Sequence, residues 1–157
     1  MSLEFSDKTK KTIDKIIARY PQKEAALLPV LHVIQKEFGK ISAEEEILAA
    51  SLLGISQVKV REVVSFYTMF NRKALGKYHI QVCSNLTCSL MGADNIIDYI
   101  EEKLGIKPGE TTSDKKFTLS KVECLGACEQ APSMMINFDY HGYLDKEKIN
   151  KILDNLE

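Results

Sequence analysis

The sequence lacks the features that mark a membrane-spanning, secreted or nucleotide-binding chain. No apolar run approaches the ~20 residues that a transmembrane helix needs, and the first residues, MSLEFSDKTKK, contain no apolar signal segment. No G-x-G-x-x-G loop or other nucleotide-binding loop is present. Repeats and low-complexity segments are also absent. We therefore expect a soluble protein in a reducing, intracellular setting, without a nucleotide site of its own.

An excess of charge of either sign is missing too. The 157 residues include 21 basic and 22 acidic side chains, which gives a formal net charge of −1. This balance argues against nucleic-acid binding driven by phosphate contacts. The apolar fraction of 45% is sufficient for a core, and the length suits one domain or a small domain with a helical extension.

Cysteine is scarce, and its positions are the most informative feature of the chain. Cys83 and Cys88 have four residues between them, Cys124 and Cys128 have three, and 35 residues separate the two pairs. This pattern is typical of two loops that meet around one metal centre. Two loops with two thiolates each supply the four ligands of a two-iron cluster.

Three other interpretations of the cysteines remain open on spacing alone. A structural zinc site also takes four thiolates, but its close pairs usually read C-x2-C, and neither pair here does. Disulfides need an oxidising compartment. Four ordinary buried thiols are the simplest alternative, although chance rarely arranges four cysteines as two tight pairs. The spacing favours an iron–sulfur centre over these three.

Residues 6–73 have the apolar periodicity of consecutive helices. Pro29 is expected to start or kink the second of them. We interpret His32 as a core or helix-surface residue, because no other potential ligand is near it in sequence. The predicted breaks and caps are Pro21, Gly39, a Ser42–Glu45 capping box, Gly54 and Ser56.

The turn at Gly54 also has the form of a helix-turn-helix motif, with an alanine four residues before the glycine and a capped helix after it. DNA binding would require Gln57, Lys59 and Arg61 to face the major groove. Because apolar residues dominate that second helix, we favour two helices that simply meet at a tight turn. A zinc-binding helix-turn-helix regulator is kept as the alternative function.

In the second half of the chain the period changes from helical to alternating. Lys77–Cys83 is predicted to be a strand that ends at the first cysteine. Cys88 then comes just ahead of a helix that ends at Gly105. A second strand is expected to lead into Cys124 with a bulge inside it, and if the two strands are parallel, their cysteine loops meet at one end of the sheet.

The remaining C-terminal elements complete the order β-α-β-β-β-α. Met134, Ile136 and Phe138 alternate as a third strand, and a turn leads to a short fourth strand around Tyr143. Asp145 caps the final helix. We interpret His79 and His141 as surface residues. The prediction is an α/β fold with a mixed four-stranded sheet flanked by helices, preceded by a helical bundle.

At the level of whole segments the chain resembles one family. CSNLTC (83–88) and ECLGAC (123–128), together with AALLPVLHVIQKEFG, VVSFYTMFN and FTLSKVECLGACEQAP, are similar to the small iron–sulfur subunit of the NADH-oxidising module of respiratory complex I. Related subunits occur in NAD-linked hydrogenases and formate dehydrogenases. The resemblance covers nearly the whole chain.

The resemblance implies a helical domain over residues 1–75 and a thioredoxin-like domain over residues 76–157 that binds one [2Fe–2S] cluster. It implies Cys83, Cys88, Cys124 and Cys128 as the cluster ligands, and the sequence matches the family at all four. A thioredoxin-like fold also leads us to expect a cis peptide bond before Pro132. The C-x-x-C of thioredoxins is missing, so dithiol exchange is not expected.

For function, the resemblance implies a one-electron carrier subunit of an NADH-dependent oxidoreductase. FMN and NAD are then expected on a flavoprotein partner, since NADH gives up a hydride and the cluster moves single electrons. Further iron–sulfur subunits are expected partners, and nucleic acid and direct membrane insertion are not. The expected location is cytoplasmic, compatible with attachment to the inner face of the membrane through the complex, and the helical domain is expected to be a docking arm.

Overall fold

A computed structural model describes residues 5–156, which form two compact units divided after Ala74. Residues 1–4 and 157, at the outer ends of the two predicted domains, lie outside the described residues. Helices make up the first unit, and the second unit combines a mixed sheet with helices. This arrangement confirms the predicted α/β fold class.

The first unit consists of helices whose ends match the predicted caps and breaks. Ser56 accepts a hydrogen bond from the Lys59 N–H, Ser42 and Glu45 form the capping box, and Gly54 ends its helix in the left-handed region. The elements are α1 (Asp7–Ile17), a 3₁₀ turn (Lys23–Ala26), α2 (Leu27–Phe38), α3 (Ala43–Leu53) and α4 (Gln57–Phe66).

The apolar faces of these helices form one core, which includes Ile13, Leu31, Ile34, Ala49 and Val60. A carboxylate is buried beside this core. Glu46 is 0% exposed, and its Oε2 accepts a hydrogen bond from Arg61 Nε at 3.0 Å. Its Oε1 has no hydrogen-bond partner among residues 5–156, and Arg72 approaches it to 3.9 Å. A buried carboxylate needs such cations because desolvation strongly disfavours an isolated charge.

The second unit contains a four-stranded sheet in the order β2-β1-β3-β4 within the described residues. β1 runs parallel to β2 and antiparallel to β3, and β3 and β4 form an antiparallel hairpin. The elements are β1 (Tyr78–Cys83), α5 (Leu86–Leu90), α6 (Ala93–Leu104), β2 (Phe117–Val122), a 3₁₀ turn (Cys128–Gln130), β3 (Met134–Ile136), β4 (Asp139–His141) and α7 (Lys146–Asp154).

Alternating residues of the sheet face α6 and α7 in a second core. Ile80 and Leu119 from the parallel pair are fully buried there, together with Ile100 from α6 and Ile149 from α7. The α5–α6 segment connects β1 to β2, as a parallel pair requires. Packing of the crossover on the sheet fixes the direction of both strands and leaves their C-terminal ends side by side.

Three details of the second unit differ from the sequence prediction. β2 pairs with β1 in unbroken register from Phe117 to Val122, so the predicted bulge is absent from this strand, which ends before Cys124. β3 ends at Ile136, because Asn137 adopts a left-handed conformation, which asparagine tolerates, and turns the chain directly into β4. The predicted strand around Tyr143 is therefore wrong, and the strand lies over the predicted turn. The Ala131–Pro132 peptide bond is cis, as expected.

Between residues 5 and 156, every helix is too short or too polar to cross a lipid bilayer.

Candidate metal centre

Both cysteine loops leave the sheet at the same end of the parallel pair. Cys83 is the last residue of β1, and Cys124 follows the last residue of β2 by two positions. The Ser84 N–H donates to the Val122 carbonyl at 3.0 Å, which continues the pairing one step past β1. The strand geometry thus brings residues 41 positions apart in sequence to one edge of the molecule.

Cys88 lies inside the short helix α5 and not directly before a long helix. Asn85 caps α5 by accepting a hydrogen bond from the Leu86 N–H at 2.9 Å, and α6 begins only at Ala93 after a left-handed Gly92. The predicted placement of Cys88 at the N-terminus of α6 is therefore wrong. The turn at Gly92 separates the two helices and directs the Cys88 side chain into the interior, where it is 1% exposed.

The second loop folds back on itself so that its two sulfurs touch. Cys124 Sγ and Cys128 Sγ are 3.5 Å apart, and the Gly126 N–H points at Cys124 Sγ from 3.4 Å. Gly126 has φ of 77°, a conformation that favours glycine. Both cysteines of this loop are exposed, whereas Cys83 and Cys88 are buried.

The four thiols form one connected group. Side-chain interactions link Cys83 to Cys88, Cys124 to Cys83 and Cys128, and Cys128 to Cys88. The loops also bind each other directly, because Asn85 Nδ2 donates to Glu123 Oε2 at 2.8 Å. The structure therefore brings together all four of the cysteines that the sequence singled out.

The surroundings treat these thiols differently. Burial, the largest influence, raises the pKa of Cys83. The Gly126 N–H lowers the pKa of Cys124, and the resulting interaction with Cys124 raises the pKa of Cys128. Metal ligation requires thiolates. Of these three groups, Cys124 is the one that the protein most favours in the thiolate form.

The arrangement of the donors as two pairs fits a two-iron cluster. A [2Fe–2S] cluster takes two thiolates at each of two irons. A pair of touching sulfurs on one loop and a second pair on the facing loop meet that requirement. A tetrahedral zinc site needs its ligands gathered around one point, and among residues 5–156 no three His, Cys, Asp or Glu side chains are grouped to hold one metal ion.

The histidines do not join the cysteine group. His79 is half-buried, not on the surface as predicted: its Nε2 lies 2.8 Å from Ser120 Oγ on the neighbouring strand, and burial lowers the pKa of its ring. His141 is also half-buried, and burial lowers its pKa as well. His32 is exposed and lies against the Phe70 ring at 5.1 Å.

The side chains required for the alternative DNA-binding function are engaged with carboxylates. Gln57 Nε2 donates to Glu46 at 3.4 Å, and Arg61 donates to the same oxygen at 3.0 Å. Lys59 Nζ forms an ion pair with Glu24 at 2.6 Å. These contacts favour the interpretation of the Gly54 turn as a structural junction between two helices.

Sequence reasoning missed the residues that support the cysteine loops. Tyr140 on β4 donates its hydroxyl to the Leu125 carbonyl at 3.2 Å, inside the second loop. Ser133 Oγ lies 3.5 Å from Cys88 Sγ, and the Ser133 carbonyl accepts the Cys83 N–H at 3.1 Å. The predicted cis-proline at position 132 was the only signal near Ser133, and it concerned the backbone and not this hydroxyl.

Comparisons with known proteins agree with this geometry. A family model described as thioredoxin-like [2Fe-2S] ferredoxin matches residues 13–157. A small NADH-quinone oxidoreductase subunit of Rhizobium meliloti (strain 1021) is 43% identical over 91% of this chain and 85% of its own length. The corresponding NADH-quinone oxidoreductase subunit of Rickettsia conorii (strain ATCC VR-613 / Malish 7) is 45% identical over 98% of this chain and 93% of its own.

Among solved structures, an NAD+-reducing [NiFe]-hydrogenase in the air-oxidized state contains a similar fold. The match has a TM-score of 0.71 at 21% sequence identity, and it covers 83% of this chain but only 22% of the hydrogenase chain. At that level of identity the similarity concerns the fold.

Proposed function

The chain belongs to the thioredoxin-like [2Fe–2S] ferredoxin family, and on that premise we propose that it is the one-electron carrier subunit of an NADH-dependent oxidoreductase of the NADH–quinone oxidoreductase type. The observation that carries the proposal is the convergence of four thiols at one end of a parallel strand pair. When bound, a [2Fe–2S] cluster supplies one-electron redox chemistry.

In this proposal Cys83, Cys88, Cys124 and Cys128 are the cluster ligands, and the burial of each pair decides its role. Cys83 and Cys88 anchor the inner side of the site, where the protein excludes water. Cys124 and Cys128 face outward on a loop that Tyr140 holds in place. Electrons would enter and leave through this outer side, since it can come closest to another redox centre.

The partner that we propose is a flavoprotein that carries FMN and binds NADH. The surface beside the inner cysteines supports such a partner. Leu86, Leu90 and Met91 are 71%, 79% and 59% exposed on and just after α5, the helix that contains Cys88. Exposed apolar side chains grouped in this way mark protein interaction sites. A partner bound here would exclude water from the neighbourhood of the site and shorten the path for an electron.

We also propose a separate role for the first unit, as an arm that docks onto other subunits. Its own core is complete, yet Val58 and Phe66 on α4 are 66% and 77% exposed, and Met69 just beyond is 46% exposed. These side chains contribute little to the unit itself. A role in binding a neighbouring subunit accounts for their retention on the surface.

The decisive experiment is chemical analysis of the anaerobically purified chain. We expect about two iron atoms and two acid-labile sulfides per chain, with the visible absorption of an oxidised [2Fe–2S] cluster. Replacing any one of the four cysteines by serine should remove or strongly weaken the cluster, whereas Ser84→Ala, a matched change beside Cys83, should retain it. A colourless protein with stoichiometric zinc would contradict the proposal and favour the regulator alternative.

The partner is tested by co-purification with the flavoprotein subunit of the same organism. Leu90→Glu places a charge on the proposed apolar surface without touching a cysteine, and it should reduce the amount of complex recovered. Its control is a matched change on α6, Glu102→Gln, at an exposed position away from this surface. Equal recovery of both variants would show that the surface around α5 is not the binding site.

A further inference from the structure

A buried serine joins the two cysteines of the first pair from the opposite side of the sheet. Ser133 is 1% exposed and directly precedes β3. Its carbonyl accepts the Cys83 N–H at 3.1 Å, and its hydroxyl lies 3.5 Å from Cys88 Sγ. Among residues 5–156, this sulfur is the hydrogen-bond partner that the structure gives the Ser133 hydroxyl. A buried hydroxyl needs a partner, because leaving it unpaired costs about 1–3 kcal/mol.

The direction of this hydrogen bond follows from the state of the sulfur. In a thiol either atom can donate, but a cysteine that ligates iron is a thiolate and has no proton to give. The Ser133 hydroxyl must then be the donor. Because Cys88 and Ser133 are both 1% exposed, water does not compete for the bond, and a low local dielectric strengthens it.

We propose that Ser133 raises the reduction potential of the bound cluster by donating this hydrogen bond to the Cys88 sulfur. The inference rests on the proposed function, in which Cys88 is a ligand. Reduction adds one negative charge to the cluster and its sulfurs, so a donor that points at a ligand sulfur stabilises the reduced form more than the oxidised form. Hydrogen bonds to ligand sulfurs are among the factors by which proteins tune such potentials.

Ser133 is suited to this role because it is a side-chain donor at the inner sulfurs. The other donor that approaches a cysteine sulfur closely is the Gly126 N–H, at 3.4 Å from Cys124. That bond lies in an exposed loop and comes from the backbone, so no side-chain substitution removes it. Ser133→Ala, in contrast, removes one hydroxyl and keeps the backbone carbonyl that binds the Cys83 N–H.

The experiment is a potentiometric titration of the purified chain, followed by electron paramagnetic resonance. Ser133→Ala should shift the reduction equilibrium roughly threefold to tenfold toward the oxidised form, as expected for loss of a hydrogen bond to a charged group. The tenfold limit corresponds to about 59 mV for a one-electron couple. The control is Ser84→Ala, whose hydroxyl is bound to the Val122 carbonyl and not to a sulfur, and its potential should stay at that of the unsubstituted chain.

A second variant separates the hydrogen bond from packing. Ser133→Thr keeps the hydroxyl, and it should restore most of the potential that Ser133→Ala loses. An unchanged potential in Ser133→Ala, or the same decrease in the Ala, Thr and Ser84 variants, would overturn the inference. Failure of the unsubstituted chain to bind iron and sulfide would instead overturn the proposed function.

A measurement on the unsubstituted chain covers the case in which the variants lose the cluster. Resonance Raman spectra in H2O and D2O report hydrogen bonds to ligand sulfurs through small shifts of the iron–cysteine stretching bands. We expect such a shift to be present. Bands that do not respond to deuterium after full exchange would contradict a donor at Cys88.

Discussion

Glu46 is the residue in the first unit whose environment is most demanding. Its carboxylate is completely buried, and the cations that face it, Arg61 and Arg72, have side chains that are 51% and 55% exposed. Arg61 contacts Oε2 at 3.0 Å, whereas Arg72 remains 3.9 Å from Oε1. The charge of the carboxylate is therefore balanced mainly by Arg61, through two nitrogen atoms of one guanidinium group.

This asymmetry predicts unequal effects of two matched substitutions. Arg61→Met should lower the free energy of unfolding by about 1–3 kcal/mol, because it leaves a buried carboxylate without its close cation. Arg72→Met should cost less than about 0.5 kcal/mol, as expected for a longer contact from an exposed side chain. Urea unfolding of both variants measures the difference. Equal losses would mean that the two arginines share the carboxylate evenly.

At the residue scale, the sequence was sufficient for the cysteines and insufficient for their supports. Cysteine spacing identifies Cys83 and Cys124 because two close pairs separated by a long segment are typical of metal ligation. Ser133 carries no such signal: serine is common, and its contact with Cys88 spans 45 residues of sequence. Glu46 was equally invisible, since a carboxylate on a helix is usually solvated and only the folded unit shows that this one is buried.

At the scale of elements, the second cysteine loop depends on a contact from β4. The Tyr140 hydroxyl donates to the Leu125 carbonyl at 3.2 Å, one residue after Cys124. Tyr140 is 56% exposed, so the aromatic ring contributes little burial and the hydroxyl is its specific contribution. This hydrogen bond restrains the loop that carries the two exposed cysteines.

Tyr140→Phe should therefore accelerate the loss of iron from the cluster to an external chelator. Removing one hydrogen bond worth about 0.5–1.5 kcal/mol predicts a rate increase of roughly twofold to tenfold. The matched control is Tyr143→Phe, a tyrosine that is 64% exposed on the chain segment just beyond β4. Bleaching of the visible absorption with time gives both rates, and identical rates would contradict a restraining role for Tyr140.

Local signals predicted most elements, and the failures lie where tertiary structure decides. The capping residues Ser42, Ser56 and Asp145 begin helices as expected, because a cap acts within one turn. The helix α5 was missed, since five residues are too few to show a period. The β3–β4 hairpin was shifted because Asn137 turns the chain earlier than the apolar alternation suggests.

At the scale of the whole molecule, each unit has a core of its own. The first core is formed by residues of α1 to α4, and the second by residues of the sheet, α6 and α7. The order β2-β1-β3-β4 could not be read from the sequence, because alternation defines strands and not their neighbours. The crossover through α6 nevertheless made a parallel first pair the expected arrangement.

Independent cores predict that the units can be separated. A chain that lacks residues 1–72 should retain the cluster, with the same visible spectrum, and should lose most of its binding to the rest of the complex. Iron analysis and co-purification with the flavoprotein measure the two properties separately. Loss of the cluster in the shortened chain would contradict the division of roles, and full recovery of the complex would contradict the docking arm.

The parallel pairing of β1 and β2 has a thermodynamic consequence. A centre bound between Cys83 and Cys124 would tie together two points separated by 41 positions of chain. Such a cross-link acts on the denatured ensemble as a disulfide does, and closing a loop of this length removes conformational entropy worth about 4 kcal/mol at room temperature. Iron and sulfide would thus serve as a removable staple for the second unit, whose resistance to heat would rise and fall with its metal content.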